Sequence, residues 1–355
     1  MKESFVDETS FVSFGVLAAM DKFRGTATAR DLCDAISRAA VDHDRGSDAQ
    51  PMSDGGEGFR DAFVGEEKTI EVPGPLGAVV AAKVTMVPSS SGPFAVLEVS
   101  QVIGRHLLES PTRGQAMEAS SAGVGHLIVA CANLGARRVL IGCGGSATSD
   151  GGLGCYQVLR DAGGLPVPVT VATAVTARFS GARRYAEQKG VAPRALGLLD
   201  RRLEEVRALY LGETGVDVEL LERSGASGGV PGALAALGGV LVSGFDAVAE
   251  AVHLGERLRR SSLVVTGEGR FDMGSLEGKV VVGVAALVKQ GTALLVVCGS
   301  IDDKAAQLFL RRYPTATMVS LVERFGETRA HSDVVRCVVS IVTEQIDLPP
   351  GDPKR

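Results

Sequence analysis

The residues with most chemistry to offer lie in one stretch, Gly142–Gly154. It holds six glycines, the hydroxyls of Ser146, Thr148 and Ser149, and the carboxylate of Asp150, between a strand candidate, Arg138–Ile141, and a helix candidate, Leu153–Ala162. A glycine loop running from a strand into a helix start exposes backbone N–H groups, and the helix dipole favours an anion there. Three smaller clusters repeat the theme: Asp21, Lys22 and Arg24 before Gly25; Asp54 and Glu57 within Pro51–Gly58; and Glu268, Arg270, Asp272 and Lys279 within Gly267–Lys279. Singly, each has a plain structural reading. Asp150 is a good helix N-cap, Asp54 and Glu57 suit a turn, and Lys22 and Arg24 suit a solvated surface. Together they are what phosphoryl transfer needs. Carboxylates such as Asp54, Asp150 and Asp272 hold Mg²⁺ or take a proton from a hydroxyl, while cations and backbone N–H groups neutralise the moving charge.

Two near-motifs are set aside. Gly274–Val280 resembles a P-loop but is one residue short and ends in Val where a metal-binding hydroxyl belongs. Gly267–Asp272 resembles a dinucleotide fingerprint but ends in Asp, which would repel a pyrophosphate.

The elements that must position these loops follow from periodicity. Val16–Met20 reads as a buried strand. Thr28–Asp31 has capping-box spacing and opens a helix with an apolar stripe at Leu32, Ala35, Ile36, Ala39 and Ala40. Residues 69–99 are β-rich, with turns of Pro and Gly, and suggest an antiparallel or mixed sheet. Helices are expected over Ala119–Leu134 and from Pro193, and a strand over Val167–Val175. From Leu263 a β-α-β-α-β-α series runs to Ile346, the pattern of a parallel sheet.

Composition narrows the partners. The chain has 355 residues, long enough for two domains, and 45 are glycine, nearly twice the usual ~7%. A net charge of −5, no long basic run, 5% aromatic residues and no Trp argue against nucleic acid. No apolar run nears the ~18 residues of a membrane span, and Met1–Phe14 lacks the form of a signal peptide. The six cysteines form no C-x-x-C pair and the five histidines have no metal-ligand spacing, so reduced buried thiols, a cytoplasmic location and no transition metal are expected.

Five ordered motifs make a specific resemblance: Asp21–Ala29, Met52–Gly58, Gly144–Gly152, Gly225–Gly229, and Thr266–Asp272 with Gly278–Lys279. In that order they resemble the bacterial type I glycerate kinase family, over roughly residues 15–345. The resemblance implies ATP-dependent phosphorylation of D-glycerate with Mg²⁺, 2-phosphoglycerate being the favoured product. It implies an α/β fold: a flavodoxin-like parallel-sheet domain (14–63 plus 258–346), an inserted α/β domain (64–257), and an active site in the interdomain cleft. Residues 1–13 and 347–355 are expected to be loose termini, and a homodimer is the assembly to test for.

By this resemblance Asp21, Asp54, Asp150, Arg270 and Asp272 are catalytic candidates. Asp54, Asp150 and Asp272 are the Mg²⁺ candidates. Lys22, Arg24, Glu57, Gly144, Gly145, Ser146, Thr148, Glu268 and Lys279 are candidates for the hydroxy acid and the ATP phosphates. The chain departs from the family at Met20, Val102-Ile103-Gly104, Tyr185-Ala186-Glu187, Gly274, and at Ala174, where the family carries Asp. Two alternatives stay open: a non-catalytic or weakly active small-anion binder, and a kinase of another hydroxy acid if Val102 and Ile103 line the acceptor pocket. On this reading Asp150→Ala lowers turnover by at least ~10²-fold and costs only ~1 kcal/mol as a lost cap.

Overall fold

The structure, a computed structural model, describes residues 14–108 and 115–348. Of the termini expected to be loose, 1–13 and 349–355 lie outside the described residues, and Asp347 closes the last helix, Val334–Asp347. Thirteen strands are present among the described residues: β1 (Phe14–Met20), β2 (Ser47–Ala49), β3 (Glu66–Pro73), β4 (Val79–Val87), β5 (Phe94–Glu98), β6 (Val139–Cys143), β7 (Val169–Thr173), β8 (Val240–Ser243), β9 (Ser261–Gly267), β10 (Arg270–Phe271), β11 (Ala293–Cys298), β12 (Ser300–Ile301) and β13 (Ala316–Ser320).

The chain divides into two units, one comprising residues up to Met52 and from Ala249 onward, the other Ser53–Val248. The family resemblance places the joins later, after residues 63 and 257. Residues 53–63 belong with the second unit because Phe63 stands edge-on to Phe94, with ring centroids 6.2 Å apart, and the Arg60 N–H donates to Glu98 Oε1 at 2.8 Å. Residues 249–257 belong with the first, where Arg257 Nη1 donates to both oxygens of Asp48 at 2.7 and 2.8 Å.

In the first unit one parallel sheet runs β13-β11-β9-β1-β2. Numbered by occurrence within that unit the order is 5-4-3-1-2, the flavodoxin-like doubly wound order, reversing between β1 and β9. Side chains alternate across a strand. Val16, Ala18 and Met20, with Leu263, Val265, Leu295 and Val297, form one core with Leu32 and Ile36 of helix Ala29–Asp42 and Val338, Ile341 and Val342 of helix Val334–Asp347. Alternate residues such as Leu17 and Val264 are equally buried; helix Val280–Leu287 packs on β9 and β1. The expected capping box forms: the Asp31 N–H donates to Thr28 Oγ1 at 3.0 Å, and the Thr28 N–H to Asp31 Oδ2 at 3.4 Å.

The second unit holds a six-stranded sheet in sequential order, β3-β4-β5-β6-β7-β8. The pairs β3–β4 and β4–β5 are antiparallel and the rest parallel, so the β-rich 69–99 region is the antiparallel margin of a mixed sheet. Helices Ala122–Asn133 and Leu153–Asp161 contribute Val124, Leu127, Ile128, Cys155 and Leu159 to its core. Val102 and Ile103 are fully buried in that same core. Both side chains are spent on packing that core.

Helix Leu196–Thr214 carries an exposed Gly212, where an added Cβ would meet nothing within 4 Å. Gly212→Ala is therefore expected to stabilise the protein by about 1 kcal/mol, read from urea denaturation; a loss of stability would contradict a regular solvated helix there. Among the described residues no helix is long and apolar enough to cross a membrane. All six cysteines are free and buried, and burial pushes the Cys33 thiol up to about 12.

Candidate active site

In an open α/β sheet, ligands bind beyond the carboxyl ends of the strands. In the second unit those ends carry Glu98 (β5), Gly144–Asp150 (β6), Thr173 (β7) and Gly244 (β8). The Asp54–Gly58 segment lies over them. A Cβ at Gly244 would sit 1.8 Å from the Asp54 carbonyl oxygen, and one at Gly144 would sit 2.8 Å from Gly56 Cα. Only glycine permits such an approach. Glu98 ties the segment down by accepting from the Arg60 N–H, and its other oxygen accepts from Ser100 Oγ at 3.2 Å. Burial raises its pKa.

The acidic segment itself is open. Asp54 Oδ1 accepts from the Gly56 N–H at 3.1 Å; its other oxygen has no protein donor among the described residues. Glu57 is exposed and has no polar partner among them. Within the Gly144–Asp150 loop, two carbonyls are held by donors: Gly145 O accepts from the Arg105 N–H at 3.1 Å, and Thr148 O from Lys189 Nζ at 2.8 Å. Lys189 also donates to Ser146 Oγ at 3.0 Å. The Ala147 N–H donates to Ile103 O at 2.7 Å. By contrast, the N–H groups of Gly145, Ser146, Thr148 and Ser149 have no acceptor among the described residues. The buried Ser149 Oγ has no partner either.

Asp150 is placed differently from a base or metal ligand. It is 2% exposed. Oδ2 accepts from the Ser121 N–H (2.8 Å), Ser121 Oγ (2.7 Å) and the Gly154 N–H (3.2 Å), and Oδ1 from the Gly152 N–H (3.0 Å). A carboxylate with four donors on it has little lone-pair capacity left for a proton or a cation; it is a staple joining loop, helix start and Ser121. Ser146 and Thr148 also differ from the expected hydroxyl cradle. Both are buried, and Thr148 Oγ1 donates to Ser227 O at 3.5 Å. The loop therefore offers backbone, with Gly145 its exposed point.

Lys189 is not singled out by the sequence. Its one weak signal is a lysine between Gln188 and Gly190 in a charged stretch. It is 5% exposed, and burial pulls its pKa from 10.5 down to about 8, with Asp150 opposing and Arg105 assisting. Native Lys189 thus holds its proton less tightly than an unfolded lysine. Its burial costs stability fully below pH 8, and the cost fades as pH rises from about 8 to 10.5. The window is worth about 3 kcal/mol. Urea denaturation is expected to show wild type gaining stability relative to Lys189→Met across that range; parallel curves would show that Lys189 titrates normally.

The first unit gathers its own set at the reversal between β1 and β9. The Asp21 N–H donates to Gly267 O at 2.9 Å. Asp21 Oδ1 accepts from the Lys22 N–H at 2.7 Å, with Lys22 Nζ 3.9 Å away. A Cβ at Gly269 would lie 3.3 Å from Arg24 N and Phe23 Cα, so the 267–270 strand end runs beside 23–24. Asp21 and Glu268 are buried, while Arg24 and Arg270 are exposed.

Asp272 caps the short 3₁₀ turn Met273–Glu277, accepting from the Gly274 N–H at 2.9 Å, with its other oxygen 3.5 Å from Arg270 Nε. That capping bond, like those on Asp150, gives the carboxylate a structural task. Lys279 is half-buried just before helix Val280–Leu287 and has no polar partner among the described residues. Nowhere among the described residues do three His, Cys, Asp or Glu side chains converge as a metal cage.

Comparison with known proteins identifies the family. The family model described as Glycerate kinase family matches residues 16–162 and 165–346. An uncharacterised protein of Mycobacterium bovis is 37% identical over 297 residues, 79% of this chain and 76% of the relative. The glycerate 2-kinase of Escherichia coli K12 is 31% identical over 329 residues, 81% of this chain and 86% of the relative. A crystal structure from Salmonella typhimurium LT2, provisionally named glycerate kinase 2, superposes with a TM-score of 0.74 at 25% identity, covering 94% of this chain and 98% of that one.

Proposed function

The chain belongs to the glycerate kinase family of phosphotransferases, and we propose that it transfers the terminal phosphoryl group of ATP to a hydroxyl of D-glycerate, giving 2-phosphoglycerate. The observation that supports this chemistry is the open carboxylate of Asp54, held beside the glycine loop by the close passage of Gly56 over Gly144. A hydroxyl oxygen forms the new bond to phosphorus, ADP leaves with the electrons of the broken bond, and Asp54 takes the hydroxyl proton. Lys22, Arg24, Arg270 and Lys279 are assigned to the phosphates and the substrate carboxylate, with Asp21 and Glu268 orienting the cations of the first unit.

Carboxylate oxygens with free lone pairs suit magnesium, which takes one or two carboxylates and completes its shell with water and phosphate oxygens. Glu57 is the residue that would hold it, with Asp54 taking the place of a metal ligand only if another group is the base, and it supplies neutralisation of phosphate charge when bound. Ala174 follows β7 at the carboxyl edge and is half-buried. The carboxylate functions on this reading fall to the 54–57 segment instead.

The test is ADP release from Mg-ATP with D-glycerate, with ³¹P NMR to identify the phosphorylated hydroxyl. No ADP above background, with ligand binding intact, would favour a non-catalytic anion binder, and faster turnover on another hydroxy acid would move the substrate assignment. Asp54→Asn is expected to lower turnover by ~10²–10⁴-fold with little loss of stability, since Asp54 accepts a single bond from Gly56. Near-normal turnover would remove Asp54 as the base.

A further inference from the structure

Lys189 and the Gly145–Ser149 backbone carry an inference beyond this reading, although its ligand rests on it. Lys189 is buried, and its ammonium has three N–H groups. Two are used, on Ser146 Oγ and Thr148 O. No ion pair to Lys189 occurs among the described residues, and the carboxylate that acts on it, Asp150, already has four donors on its own oxygens. A buried charge without a partner is costly and calls for a counter-ion.

The loop beside it has the complementary deficit. Four of its backbone N–H groups lack acceptors among the described residues, in a stretch where Ser146, Thr148 and Ser149 are each 3% exposed or less. Buried N–H groups are normally paired. Ser149 Oγ, also buried and unpartnered, is a second and independent sign of a missing ligand. The carbonyls of Gly145 and Thr148, which would repel an anion, are each already covered by a donor.

We propose that Lys189 is the fixed counter-charge of an anion site on the Gly145–Ser149 backbone, acting as a positioning residue beneath the loop. The ligand is an anionic oxygen group, supplied either by the carboxylate of the acceptor or by a phosphate of the nucleotide. Lys189 holds the loop through Ser146 and Thr148, and its charge raises the positive potential at the free N–H groups. The two effects separate experimentally: a neutral amide at 189 retains hydrogen-bond donors, whereas a thioether does not.

Titration calorimetry at pH 7 on wild type, Lys189→Gln and Lys189→Met, with D-glycerate alone, inorganic phosphate alone and ATP alone, tests this. Both variants are expected to lose at least ~30-fold in affinity for one class of probe, the scale of a hydrogen bond to a charged group. Loss for D-glycerate identifies the carboxylate; loss for phosphate and ATP identifies the phosphoryl group. Lys189→Gln at wild-type affinity for all three would reduce Lys189 to a hydrogen-bonding pin and overturn the proposal. So would wild type binding none of the probes, or an adventitious weak response equal in all three proteins.

Should Lys189→Met fail to fold, Lys189→Gln decides, its fold checked by thermal melting. Should Lys189→Gln fail as well, wild-type affinity at pH 9.5 against pH 7 decides: a fall is expected, and unchanged affinity overturns the proposal. Wild type that releases no ADP, while the variants lose anion affinity, would sink the kinase reading and leave the anion site standing.

Discussion

Asp150→Ala is expected to destabilise the second unit by about 3–5 kcal/mol, the range for breaking a buried charged network by removing one partner. The mutation strands the N–H groups of Ser121, Gly152 and Gly154 and the Ser121 hydroxyl. It also removes the one carboxylate whose field favours the charged form of Lys189. Urea denaturation measures the effect, and a cost of ~1 kcal/mol or less would return Asp150 to the rank of a simple helix cap. Asp150→Asn keeps one acceptor oxygen and sets an amide donor against another N–H, so an intermediate cost is expected. At a temperature where Asp150→Asn is folded, turnover within about tenfold of wild type fits a staple, whereas a loss of ~10²-fold or more fits a general base. The structure thus reverses the balance expected from sequence, in which turnover falls far more than stability.

Gly244→Ala is expected to lower turnover by ~10²-fold or more, the effect of displacing a reacting group by about 1 Å. The new Cβ would lie 1.8 Å from Asp54 O, 2.0 Å from Asp54 C and 2.3 Å from Gly55 N. All three are backbone atoms, so no rotamer change relieves the clash. The chain at 54–55 must move, carrying the Asp54 carboxylate and the neighbouring Glu57. Steady-state turnover measures the loss against Gly212→Ala, whose added methyl group meets nothing within 4 Å. Near-normal turnover of folded Gly244→Ala would show that the 54–57 segment lies outside the catalytic machinery.

What could be read from sequence was local in cause. The Thr28–Asp31 capping box closes over three residues, so its spacing is its structure. Strands in the first unit show as apolar runs because parallel strands are covered on both faces, and the order 5-4-3-1-2 agrees with the flavodoxin-like expectation. The glycine loop after β6 was evident because strand, glycines and helix start are contiguous. Short elements were missed: β2, β8, and the helices Gly244–Ala251 and Leu254–Arg259. At three to eight residues each, they carry too few periods to distinguish strand from helix or loop.

The tertiary structure alone decided what those residues do. Asp150 is a staple because Ser121, 29 positions earlier, is folded against it. Lys189 reaches Ser146 and Thr148 across 43 and 41 positions, and its neighbourhood of sequence marks it only weakly. The Asp54 segment requires glycine at 144 and 244 because those strand ends pass beneath it. Residue types and their local spacing determined the kind of chemistry and the class of fold. Burial, and hydrogen bonds between distant segments, determined which carboxylate keeps a free lone pair, which is consumed in holding the loop, and where the uncompensated positive charge sits.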